Sequence, residues 1–203
     1  MAKRHLIFTW VSSGSLMMML SCAVQPNTHY YDLAVQSNFV PGDLNRSIHL
    51  GVGPFSFPDV LERAGIVTRS SPVNIKVSNY HVWAGSLEQA FTRVLGESLA
   101  HNLSQNDVWA FPWDTRFRPE YQVRGVVSQF SGEAGGTVKL KLQWTLLEDH
   151  GKKVVTSYRY QQATTAEDTS YDAYVAALNR LLNTFASDLS KEIAAHLVSD
   201  RQP

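Results

Sequence analysis

The sequence predicts an α/β fold: a single-domain sandwich in which a mixed, largely antiparallel sheet packs against two main amphipathic helices. Three observations carry this. Val138, Leu140, Leu142, Trp144 and Leu146 alternate with Thr137, Lys139, Lys141, Gln143 and Thr145, the period of a strand with one buried and one solvated face. Ser86 to Leu103 and Tyr171 to about Leu197 instead repeat apolar residues every three and four positions, which gives a helix one apolar side. The 203 residues, 44% of them hydrophobic, suffice to bury a core, and the length favours one domain over two.

Taken in order, His29 to Leu33 and Ser47 to Gly53 are predicted strands, β-branched or aromatic and bounded by Pro41-Gly42-Asp43 and Pro54. Phe55 to Gly65 reads as a turn with a short helix, since Pro58 suits a helix start. Ile66 to Arg69 and Val73 to Val77 form a hairpin about Ser70-Ser71-Pro72. In the first long helix Leu87, Ala90, Phe91, Val94, Leu95, Leu99 and Leu103 share a face, and Ser86 with Gln89 fits a capping box. Asp107 to Trp113 is a predicted strand with Trp109, Phe111 and Trp113 at alternate positions. The plainest reading makes these rings one face of a buried strand, and Trp83 a core residue beside the helix start.

Tyr121 to Gln162 reads as a three-stranded antiparallel meander, turning at Gly132–Gly136 and at Glu148–Gly151. The last helix lines up Tyr174, Val175, Leu178, Leu182, Phe185, Leu189, Ile193 and Leu197, with Thr169 or Ser170 to cap it. At 1.5 Å per residue it is roughly 40 Å long, enough to cross a whole sheet. There is no internal repeat or low-complexity tract.

The chain divides into a secretory signal over 1–21, a tether over 22–28 and a folded part over 29–198. Lys3 and Arg4 precede an apolar run from Leu6 to Leu20, broken by Thr9 and by Ser12 to Ser15, and Ser21 supplies the small residue before a cleavage point. That run falls short of the roughly 20 residues a transmembrane helix needs. Met19-Leu20-Ser21-Cys22 resembles the bacterial lipobox, with Met and Ser where Leu and Gly or Ala are commoner, and the only cysteine of the chain stands where the lipid would be attached. Cys22 is therefore the expected lipidation site. The resemblance implies a diacylglyceryl group and an N-acyl chain, and more than one chain is what makes an anchor stable. Ala23, where an Asp would favour the inner membrane, implies the periplasmic face of the outer membrane. Seven extended residues, Cys22 to Thr28, reach at most about 25 Å, so the folded part stays near its bilayer.

Basic and acidic side chains number 18 each, and loss of Lys3 and Arg4 with the signal leaves a net charge near −2. That argues against nucleic acid as a partner and against holding an anionic membrane by charge alone. One cysteine excludes an intrachain disulfide and a Cys-rich zinc site. No G-x-S-x-G elbow, phosphate loop or H-E-x-x-H helix is present, and His5, His29, His49, His81, His101, His150 and His196 are scattered singly. Asp59, Glu62 and Arg63 read as solvated charge. No catalytic residue, metal or cofactor is expected beyond the covalent lipid. The stretch from Trp109 to Phe117 interleaves Trp109, Phe111, Trp113 and Phe117 with Arg116 and Arg118, a composition suited to a protein interface or to phospholipid headgroups.

Several of these segments together resemble the ABC-type transport auxiliary lipoprotein family. They are His29 to Leu33 (HYYDL), Gly51 to Arg63 (GVGPFSFPDVLER), Ile66 to Arg69 (IVTR), Trp83-Ala84 with Leu87 to Ala100, and Trp109 to Trp113 (WAFPW). Ala64 departs from a common proline of the family, and Gly85-Ser86 from an acidic residue and proline before the helix. The resemblance implies a non-enzymatic, outer-membrane partner of inner-membrane-anchored MCE-domain proteins, whose tunnels move phospholipid between membranes. It offers Val67, Thr68, Arg69, Trp83 and the stretch with Trp109, Phe111 and Trp113 as candidate contact or framework residues, to which the composition adds Arg116. A cofactor for peptidoglycan synthesis or lipopolysaccharide assembly, and a periplasmic hydrolase, are the competing readings. The long apolar helix and aromatic edges permit a homo-oligomer without specifying a number.

Overall fold

Why the chain forms two sheets rather than one is decided by where its strands find partners. A computed structural model describes residues 27–36, 47–114 and 116–199. The expected signal over 1–21 and Cys22 lie outside the described residues. In chain order the elements are β1 (His29–Tyr31), β2 (Leu50–Ser56), β3 (Gly65–Arg69), β4 (Ile75–Trp83), α1 (Leu87–Asn102), β5 (Val108–Ala110), β6 (Tyr121–Gly132), β7 (Thr137–Glu148), β8 (Lys153–Thr165) and α2 (Tyr171–Ser199). The larger sheet runs β5-β2-β6-β7-β8, the smaller β1-β4-β3. In the larger sheet β2 lies parallel to both β5 and β6, while β6, β7 and β8 form the antiparallel meander. In the smaller, β1 pairs parallel to β4 and β3 antiparallel to it. The α/β class and the mixed pairing hold, and the division into two sheets is what the residue pattern did not carry.

Both helices pack against the larger sheet and against each other. The apolar face of β7 lies beneath α2, with Val138, Leu140 and Leu146 fully buried and Leu142 and Trp144 nearly so. Leu178, Leu182, Phe185, Leu189 and Ile193 complete that core from α2. Phe91 of α1 sits at its centre, with ring centroids 5.6 Å from Phe55, 5.3 Å from Phe57 and 5.6 Å from Phe130, in tilted or edge-on contacts that aromatic quadrupoles favour. The caps form as the residue types require: Ser86 Oγ accepts from the Gln89 amide at 3.3 Å, and Ser170 Oγ from the Ala173 amide at 3.1 Å.

One phenol joins the two sheets to α2. The Tyr174 hydroxyl donates to the Val67 carbonyl of β3 and accepts from the Gly132 amide at the end of β6, each at 2.8 Å. Burial pushes that hydroxyl's pKa up to about 12.

Two local expectations are corrected. The strand expected to stop at Pro54 continues through it to Ser56 as β2. The short helix expected within Phe55 to Gly65 is absent. Only two turn bonds form, Leu61 N to Pro58 O at 2.8 Å and Glu62 N to Asp59 O at 3.2 Å, before the chain enters β3. Two bonds do not repay helix nucleation.

Candidate functional site

The aromatic stretch lies at the free end of the larger sheet, and its position follows from two glycines. β5 is a three-residue edge strand, in register with β2 so that Gly51 lies opposite Trp109 and Val52 opposite Ala110. Flanking bonds from the Leu50 amide to Asp107 O (3.0 Å) and from the Phe111 amide to Val52 O (2.8 Å) extend that pairing. Leu50, Val52 and Phe55 of β2 face the core with no exposure. Gly51 and Gly53 alternate with them and have no side chain, so other residues close over that face. A Cβ on Gly51 would come within 2.8 Å of the Trp113 ring and 2.9 Å of Pro119, and one on Gly53 within 2.8 Å of Phe111 Cβ. Gly53 also holds a φ of +113°, which side-chain-bearing residues avoid. Glycine inside a strand often marks such a close approach.

On this floor four rings form a continuous chain. Trp109 meets Phe117 at a tilt with centroids 5.2 Å apart, Phe117 meets Trp113 at 5.9 Å, and Trp113 meets Phe111 edge-on at 5.4 Å. Trp109 is 49% and Phe111 41% exposed, with Trp113 and Phe117 half-buried. The expectation of a buried strand face is therefore corrected. β5 ends at Ala110, Pro112 has no amide to continue a ladder, and beneath the rings lies the glycine floor rather than the core.

Two of the charged groups around the rings are held by partners. Arg116 donates from Nε to Asp114 Oδ1 and from Nη2 to Asp114 Oδ2, each at 2.9 Å, and its backbone amide adds a bond to Oδ1 at 2.8 Å. The guanidinium, then the amide, hold the Asp114 carboxyl below its ordinary value of 3.8. On the other flank Asp107 accepts from the Trp109 indole N–H and pairs with His49. Phe111 and Ala110 also line an open groove of about 450 Å³ together with Asp32 and Arg93, which are joined by a 2.9 Å ion pair. Asp32 directly follows β1, which the chain enters at His29, stacked on His81.

The remaining candidates lie in the smaller sheet. Val67 is 4% and Trp83 7% exposed, both in the core, and Thr68 is half-buried. Arg69 donates to Ser131 Oγ at 2.9 Å and to the Pro72 carbonyl at 3.3 Å, tying β3 to β6. Their placement is that of framework. Trp109, Phe111, Trp113 and Arg116 are the ones brought together on one surface. Gly51, Gly53, Pro119 and Asp114 were not singled out from the sequence, although glycines at alternate positions of a predicted strand were a signal for them.

Among the described residues no three His, Cys, Asp or Glu side chains converge as metal ligands, and no helix is long and apolar enough to cross a membrane. His81 lies between the rings of His29 (5.1 Å) and Tyr171 (3.9 Å), and its Nδ1 bonds the Tyr31 hydroxyl at 2.9 Å.

The chain is similar to the intermembrane transport lipoprotein PqiC of Escherichia coli strain K12, with 23% identity over 186 residues, 91% of this chain and 96% of that protein. The Shigella flexneri protein of the same name matches to the same extent. Protein XCC0632 of Xanthomonas campestris has the same fold, with a TM-score of 0.74 and 19% identity over 87% of this chain and all of that one. A further solved structure, of an uncharacterized protein, aligns with a TM-score of 0.64 and 19% identity over 83% of this chain and 99% of the other. Residues 31–190, which hold every described strand from β2 to β8, α1 and most of α2, match the model of one family. The chain belongs to the family of the ABC-type transport auxiliary lipoprotein component.

Proposed function

We propose that this protein is an accessory lipoprotein of an intermembrane lipid-transport system, held on the periplasmic face of the outer membrane by acyl chains on Cys22 and docking an MCE-domain protein of the same system. The observation that carries the reading is the family match along residues 31–190, in a chain whose only cysteine stands in a lipobox-like sequence. The likeness to an intermembrane transport lipoprotein along nearly its whole length supports it. The short tether gives the physical logic: a body held within about 25 Å of one bilayer needs a partner to bridge to the other.

The role is binding rather than bond-making. Exposed Trp and Phe rings, held in place over the glycine floor, form a preorganised contact surface. Phospholipid is the cargo class the reading assigns to the system. The test is crosslinking in intact cells followed by detergent extraction and capture of the mature protein. Recovery of an MCE-domain protein is the expected result, and its absence from the captured complex would overturn the docking role.

A further inference from the structure

We infer that the four-ring edge formed by Trp109, Phe111, Trp113 and Phe117 seats in the headgroup layer of the same membrane that carries the lipid anchor. The inference rests on the anchored-lipoprotein reading and deepens it, because it gives the folded part a second contact with the bilayer and so an orientation.

The first ground is position. The chain outside the fold begins at an acylated Cys22 and reaches His29 through a tether that spans at most about 25 Å. β1 is then only three residues long, and Asp32, the next residue, lines one groove with Ala110, Phe111 and Pro112. The tether therefore joins the fold at His29, about 10 Å of chain before that groove, and is too short to carry the fold far from the lipid surface. The second ground is chemistry. Trp and other amphipathic rings concentrate at the membrane–water boundary, where an apolar body meets lipid and a polar tip stays wet. Trp109 and Phe111 are the most exposed of the four rings, and the Trp109 indole N–H stays bonded to Asp107 at the solvated flank.

The third ground is charge. Arg116 is neutralised by bidentate contact with Asp114, which leaves the exposed Arg118 as the cation beside the rings. With a mature net charge near −2, attraction to anionic lipid does not hold the protein there, and aromatic insertion supplies what charge does not. One acyl cluster on a short tether fixes distance from a membrane but not orientation. A second contact turns the opposite side of the body outward, toward the periplasm.

The test uses the mature lipoprotein reconstituted into phosphatidylethanolamine–phosphatidylglycerol vesicles, with and without brominated acyl chains. Trp83 and Trp144 are buried, so in a Trp113→Phe background Trp109 is the indole open to lipid. The expected result is a blue shift of its emission on vesicles and loss of that emission with brominated lipid, both reduced by Phe111→Ser. Acylated, vesicle-bound protein whose Trp109 emission is unmoved by brominated lipid overturns the seat and leaves the anchor standing. A shift seen only when an MCE-domain protein is added assigns the edge to a protein partner and equally overturns it. An unmodified Cys22 by mass spectrometry, with protein free of the vesicles, overturns the anchor and the seat together.

Discussion

Two stretches of this chain have the same period-two pattern and opposite fates. In β7, Val138, Leu140, Leu142, Trp144 and Leu146 alternate with polar residues and are buried. From Trp109 to Trp113 large rings alternate just as regularly, yet Trp109 and Phe111 lie half open to solvent. Local pattern does not separate them; neighbours do. β7 is bonded on both sides, by β6 and β8, and α2 packs across its apolar face. β5 is an edge strand bonded on one side, stopped by Pro112, and its rings fold over the bare backbone of Gly51 and Gly53. Alternation says that a strand has two different sides. It does not say what covers either of them.

The sharpest way to break this contrast is to remove a side chain from each region and compare the stability lost. Leu140→Ala should cost about 2–5 kcal/mol in chemical denaturation, since it opens a cavity in a fully buried site that helix and sheet hold apart. A loss below that range would mean β7 is not a core strand.

Tyr174→Phe should cost somewhat less, about 1–3 kcal/mol, by leaving the Val67 carbonyl and Gly132 amide without this partner. It carries a pH signature as well. The buried phenol's pKa rises from 10.0 to about 12, so the folded state holds that proton more tightly than the unfolded chain. The corresponding stability is whole below pH 10 and is lost as pH climbs toward 12. Tyr160, raised first by burial and then by Asp188, contributes to the same alkaline loss. Denaturant midpoints measured from pH 8 to 12 should therefore fall less steeply in Tyr174→Phe, without becoming flat.

The smallest effect belongs to the aromatic edge. Phe111→Ser should change stability by no more than about 1 kcal/mol, because the ring is already 41% exposed and removing it leaves no closed cavity. A cost matching that of Leu140→Ala would erase the distinction between core and edge on which the assignment of this surface depends.

Much of the framework was legible from residue order. The meander was marked by alternation and by the turns at Gly132–Gly136 and Glu148–Gly151, and it forms as β6, β7 and β8. Both helices were marked by apolar spacing and by Ser86 and Ser170 at their starts, and the hairpin about Ser70-Ser71-Pro72 forms as β3 and β4. Less of the site was legible. Trp109, Phe111, Trp113 and Arg116 were picked out by composition, but that same composition suited a buried strand. Arg69 was grouped with them, whereas its guanidinium is spent on Ser131 and the Pro72 carbonyl.

What the sequence by itself determined is whatever depends on residues near one another along the chain: strand and helix periods, turns, caps, and the position of a single cysteine in a lipobox-like run. Only the tertiary structure decided what depends on residues far apart. The split into two sheets needs β1 to find β4 some fifty residues on, with His29 opposite His81. The exposure of the aromatic edge needs Gly51 and Gly53 to lie beneath residues 111 and 113. The physical reason is the same in both cases. Periodicity is written by local geometry, whereas burial is a property of the surfaces that happen to meet.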